Sequence, residues 1–86
     1  MQSFTYTVND EHGIHARPAG VIVNSAKGFT SDITVTLGEK RADCKKLFSV
    51  MSLGAEKGDV LEITVRGSDE DSAVKGVRCA MEEAGL

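Results

Sequence analysis

The sequence predicts an α+β sandwich in two layers, an antiparallel sheet of four strands covered on one face by three helices, with residues 1–86 forming a single domain. Three observations predict it. The strand-like stretches alternate apolar and polar residues with period two, which gives each one wet face and favours an antiparallel sheet over a parallel sheet buried on both sides. Other stretches repeat their apolar residues at helical spacing. The two kinds interleave as strand, helix, strand, strand, short helix, strand, helix (βαββαβα), so the helices must cover the apolar side of the sheet.

The elements follow in order. Phe4, Tyr6 and Val8 alternate with Ser3, Thr5, Thr7 and Asn9 in a first strand, and Asp10 to Gly13 reads as a loop. Ala19, Ile22, Val23 and Ala26 then fall at i, i+3, i+4 and i+7 on one face of a helix. Pro18 suits its first turn, where a missing N–H costs nothing. Lys27 and Gly28 read as its exit, a cation at the negative dipole end and a glycine free to turn left-handed. Ile33, Val35 and Leu37 form the inner face of a second strand, and Gly38-Glu39 a tight turn into a short third one around Lys40 to Ala42. Leu47, Val50 and Met51 share a face of a short helix that Gly54 closes; Gly58 marks another turn. Val60 to Val65 carries the strongest strand pattern, with Leu61, Ile63 and Val65 on one side. Ser68 to Asp71 fits a capping box for a last helix that turns Ala73, Val74, Val77, Ala80 and Met81 inward.

Composition narrows the function classes. Ten Lys plus Arg against thirteen Asp plus Glu leave a net charge of −3, which offers no broad basic surface for nucleic acid. The start, MQSFTYTVND, lacks the basic and apolar regions of a secretory signal. No stretch approaches the roughly 20 apolar residues of a membrane helix, so membrane insertion is not expected and the chain reads as cytoplasmic. Cys44 and Cys79, without a signal or a CxxC pair, read as two reduced thiols.

The stretch richest in chemistry is Gly13-Ile14-His15-Ala16-Arg17-Pro18-Ala19. It places a histidine just before a helix start. The first amides of a helix have no internal partner, and the helix dipole adds positive potential, so an anion such as phosphate binds well there. The same potential favours a neutral, nucleophilic imidazole. Arg17 adds a guanidinium fork suited to phosphoryl oxygens. Nucleophile, amides and cation together are what covalent phosphoryl transfer through histidine requires. On the residues alone, a loop histidine beside a solvated arginine is an equally good reading.

The same stretch resembles the active-site signature of HPr, the histidine-containing phosphocarrier of the bacterial sugar phosphotransferase system. The likeness continues through Ala26-Lys27-Gly28-Phe29, through Lys45 to Gly54 with its Val50-Met51-Ser52-Leu53-Gly54 ending, and through Gly58 and the last strand and helix, so it spans essentially the whole chain. The resemblance implies an HPr-like open-faced sandwich and a carrier rather than an enzyme. His15 would accept a phosphoryl group on Nδ1 from phospho-enzyme I and pass it to the IIA component of a sugar permease. Arg17 would assist, the amides of Ala16 and Arg17 would lie close to the phosphoryl group, and Pro18 would fix the loop-to-helix junction. The carrier is expected to act as a monomer and to need no cofactor, metal belonging to enzyme I.

Docking in the family uses an apolar patch beside the histidine, matching Gly20, Leu47, Phe48 and Met51 here, with Lys27, Lys45 and Lys46 as charged contacts. Leu47 and Phe48 are neighbours and cannot both face inward on one turn; one is a candidate partner contact, unless both are partly core. Two features depart from the family pattern. His12 lies three residues before His15, beside Asp10 and Glu11; these do not make a defined coordination shell, so no metal site is assigned and His12 reads as a solvated loop residue acting on the local potential. Lys46 stands where many relatives of Gram-positive type carry the serine modified by HPr kinase, which puts that regulation in doubt. The alternatives are a paralogue with mainly regulatory partners, in nitrogen or catabolite control, and an interaction module that carries no phosphate. The second has no use for either His15 or Arg17.

Overall fold

A computed structural model describes residues 1–86. In chain order the elements are β1 (Gln2–Thr7), α1 (Ala16–Lys27), β2 (Asp32–Leu37), β3 (Lys40–Asp43), α2 (Leu47–Met51), β4 (Val60–Arg66) and α3 (Glu70–Glu83). The four strands form one sheet in the order β1-β4-β2-β3, every neighbouring pair antiparallel. β4, the last strand in sequence, therefore lies between the first two.

Register follows the alternation of side chains. Phe4, Ile63, Val35 and Ala42 pair across all four strands in one row, and all four are buried. The row beside it, Thr5, Glu62, Thr36 and Arg41, lies on the opposite face, because a shift of one residue turns the side chain over. The helices cover only the first face. Ile22, Val23, Val77 and Met81 meet Ile33, Leu61, Ile63 and Val65 in a single core. The molecule's two hollows both lie on the sheet, one among Thr34, Thr36, Thr64, Arg41 and Arg66, the other beside Ile33, Ala42 and Lys45. Gly38, at φ 60°, begins the two-residue turn between β2 and β3; a left-handed first position followed by an ordinary second one matches the hairpin twist.

Two expected helix ends differ. Gly28 keeps right-handed backbone at φ −75°, because α1 closes with a tightened turn in which the Gly28 and Phe29 amides donate to the Ser25 and Ala26 carbonyls at 3.1 and 3.2 Å. The capping box at α3 is not formed. Ser68 is exposed and lies outside the helix, and Asp69 stands at the N-cap position without capping the first turn. Asp69 instead accepts the amides of Thr30 and Ser31, each at 2.9 Å, and the Ser31 hydroxyl. Asp71 accepts from the side-chain amide of Gln2 rather than reaching back. Three donors converging from the α1–β2 loop outcompete a local cap. Burial of α3 otherwise follows the pattern, with Val74 half-buried at the margin of the core.

Candidate functional site

The site begins with the loop that delivers His15. Gly13 adopts φ 65°, and a Cβ there would collide with the Ala55 carbonyl oxygen, the same oxygen that accepts the Ile14 amide at 3.0 Å. Gly13 also donates to the Asp10 carbonyl at 2.9 Å, closing a turn over residues 10–13. The far side of the loop is held by Leu86, fully buried, whose main-chain oxygen accepts the amides of Asn9 and Asp10. Ile14 drops into the core, and the chain arrives at the start of α1 with little freedom.

His15 is the N-cap of α1, in extended backbone at φ −135°, and its side chain is 42% exposed. Its side chain does not cap the helix, so the first turn is uncapped. Pro18, buried in that turn, has no N–H, which leaves the amides of Ala16 and Arg17 as the free donors of the helix start. Ala16 and Arg17 are exposed. No acidic residue occupies the first turn, so nothing there opposes an incoming anion.

The histidine is not alone. Its Nε2 lies 3.1 Å from Asp10 Oδ2, while Asp10 Oδ1 accepts the His12 amide at 2.8 Å. A carboxylate only accepts, so the Nε2 position carries the proton and donates it. The His12 amide first, and the His15 ring second, hold the Asp10 carboxyl below its ordinary value. The His12 ring stands edge-on to the His15 ring with centroids 5.9 Å apart. No group of three His, Cys, Asp or Glu side chains is arranged to hold a metal ion. The sequence reading named Asp10 only as an acid near His12 and missed its bond to His15. Five residues of separation in a loop carry no periodicity, and the contact depends on the turn that Gly13 and Ala55 impose.

The predicted docking residues divide. Phe48 is 81% exposed, whereas Leu47 and Met51 are half-buried against the core and Val50 is fully buried. Gly20 is half-buried in α1, with nothing within 4 Å of the place a Cβ would take. Lys27 and Lys46 are exposed. Lys45 is committed inside the molecule, its Nζ donating to the Phe29 carbonyl at 2.8 Å. Both thiols are free: burial pushes Cys44 up to about 12, and the Glu83 carboxylate raises exposed Cys79, so neither is primed as a thiolate nucleophile. No helix is long and apolar enough to cross a membrane.

Residues 2–83 match the family described as PTS HPr component phosphorylation site. Among solved structures, the chain is similar to the histidine-containing phosphocarrier protein of Mycoplasma, at 32% identity and a TM-score of 0.96 over 99% of this chain and 97% of that one. It is similar to HPr of Thermoanaerobacter tengcongensis at 33% identity, with a TM-score of 0.91 over 99% and 96% of the two chains. It is also similar to Crh of Bacillus subtilis, described as a catabolite repression containing protein with a swapped dimer, at 30% identity and a TM-score of 0.76 over 94% and 93%. With its fold and nearly its whole length in agreement, the chain belongs to the HPr family of phosphocarrier proteins.

Proposed function

We propose that His15 carries a phosphoryl group on Nδ1, received from phospho-enzyme I and passed to the IIA component of a sugar permease. One observation carries the reading: a half-exposed histidine at the N-cap of α1 has Nε2 engaged by Asp10 and only unpaired amides ahead of it in the helix. The free nitrogen is the nucleophile, and Ala16, Arg17 and the dipole of α1 face the negative charge on the phosphoryl oxygens. Arg17, exposed on the first turn, supplies the cation. Ala16 and Arg17, which follow His15 on α1, are exposed, which suits a carrier that must meet a donor protein and an acceptor protein in turn. Phe48, with Leu47 and Met51 on the same short helix and Gly20 on α1, is assigned as the apolar docking patch; Lys27, Lys46 and in part Lys45 are assigned to attract acidic partner surfaces.

The test is incubation with enzyme I, phosphoenolpyruvate and magnesium, followed by intact mass. A single acid-labile adduct is expected; His15→Ala abolishes it and His12→Ala retains it. Full labelling of His15→Ala sinks the assignment. The likeness to Crh favours a second reading, a paralogue serving mainly regulatory partners. The two readings part on whether the phosphorylated protein discharges to a IIA component. Size measurement tests the monomer, because relatives include an HPr dimer and a swapped dimer.

A further inference from the structure

The geometry points to Asp10 as the positioning residue of the phosphoryl carrier: it fixes which nitrogen of His15 is free to attack. The inference rests on the phosphocarrier reading and deepens it. The Asp10 carboxylate is itself fixed, Oδ1 on the His12 amide at 2.8 Å and Oδ2 on His15 Nε2 at 3.1 Å. Its own backbone is held at both ends of the turn, the Asp10 amide by Leu86 at 2.9 Å and the Asp10 carbonyl by Gly13 at 2.9 Å. The acceptor on Nε2 is therefore part of the loop rather than a free side chain. A histidine nitrogen that donates to a carboxylate leaves the other nitrogen as the lone-pair site. In the opposite tautomer Nδ1 bears the proton and has no pair to give.

The transfer balances with this proton in place. The Nδ1 lone pair forms the N–P bond while the bond from phosphorus to the donor's leaving atom breaks, that atom keeping the electron pair. Nε2 retains its hydrogen, so the ring becomes formally cationic, and the Asp10 carboxylate offsets that charge. In the second transfer the acceptor's lone pair takes the phosphorus, and the N–P pair returns to Nδ1. The ring is neutral again and the Nε2 proton has not moved. Asp10 accepts that proton's hydrogen bond throughout, the role a buried aspartate plays toward histidine in hydrolase triads.

Asp10→Asn removes the constraint, because an amide presents either an oxygen or an NH2 to Nε2 and so allows both tautomers. Glu11, exposed in the same loop, supplies the control: Glu11→Gln removes an equal charge without touching the bond. The experiment combines nitrogen NMR of the His15 ring in alkaline buffer with the rate of phosphoryl uptake from enzyme I on full-length protein. The parent and Glu11→Gln are expected to show the Nε2–H tautomer. Asp10→Asn is expected to show a mixture and to take up phosphoryl about tenfold more slowly in kcat, well short of the loss seen in a sealed triad. Asp10→Glu restores part of both signals. An unchanged tautomer in Asp10→Asn, or a rate equal to the parent's, overturns the proposal. A parent that accepts no phosphoryl group but shows the shift in tautomer overturns the carrier reading and leaves Asp10 as the orienting partner of the ring.

Discussion

Gly13, at φ 65°, leaves no room for a Cβ against the Ala55 carbonyl oxygen, the same oxygen that accepts the amide of Ile14 just before His15. Gly54, at φ 63°, shares the left-handed φ but has nothing within 4 Å of a Cβ. The pair separates two costs. Alanine at either position meets a left-handed backbone, at about 1–2 kcal/mol. Only at Gly13 must the chain also move, breaking the Ile14–Ala55 hydrogen bond and displacing Asp10 relative to His15. Gly13→Ala is expected to lower stability by more than Gly54→Ala in urea titration and to slow phosphoryl uptake, with Gly54→Ala retaining uptake. Equal losses from the two substitutions would show that the Ala55 contact does not constrain the loop.

The sheet and helix faces were legible because burial is periodic: Phe4, Ile63 and Val35 each read as inward from their neighbours alone. The place of His15 just before α1 was legible because Pro18 marks a helix start. Contacts between segments were not. Asp69 looked like part of a local cap, and its true partners, Thr30 and Ser31, lie far back in the chain. Gly76 in mid-helix gave no signal at all; a Cβ there would come within 2.6 Å of the Phe29 ring, so the glycine lets α3 approach that ring. The Asp10–His15 bond is of the same kind, made by a turn whose closure depends on Ala55 and Leu86.

Asp69 gives the fold an acid-sensitive clamp. The Ser31 hydroxyl first, then the Thr30 and Ser31 amides, lower its carboxyl to about 2. The sign follows directly: a carboxyl lowered in the folded chain stabilises it fully above its ordinary value of about 3.9, and that contribution fades as pH falls through the interval toward the folded value. Asp69→Asn is therefore expected to melt below the parent at neutral pH. The two curves should converge as pH falls from about 4 toward 2. A gap that stays constant over that interval would show that the charge on Asp69 does not hold the α1–β2 loop.

Phe48 tests whether the exposed ring acts in docking. At 81% exposed it contributes little to the core, so Phe48→Ala is expected to change stability by about 0.5 kcal/mol or less, as exposed substitutions do. Met51→Ala, half-buried against the core, is expected to cost more. In transfer assays Phe48→Ala should raise the KM for enzyme I. A loss of about 3 kcal/mol or more with KM unchanged would place Phe48 among core aromatics instead.

Lys46 occupies the N-cap of α2 in extended backbone, φ −121° and ψ 115°, and no side chain caps that turn. The conformation is the one in which a serine hydroxyl accepts an amide of the first turn, and a lysine there opposes the dipole instead. Lys46→Ser is accordingly expected to stabilise the protein by about 0.5–1 kcal/mol. The same change restores a hydroxyl at the position that HPr kinase uses in relatives, so kinase with ATP should modify Lys46→Ser and leave the parent unmodified. Retaining lysine despite that cost points to a use outside the fold, since an exposed cation near a docking patch speeds encounter with an acidic surface. Lys46→Glu is expected to slow transfer from enzyme I at low ionic strength, and the deficit should shrink in high salt as the charge is screened. Phosphoserine at Ser49 or Ser52 of the parent would refute the kinase expectation. A Lys46→Glu rate equal to the parent's at every salt concentration would leave Lys46 without a role in docking.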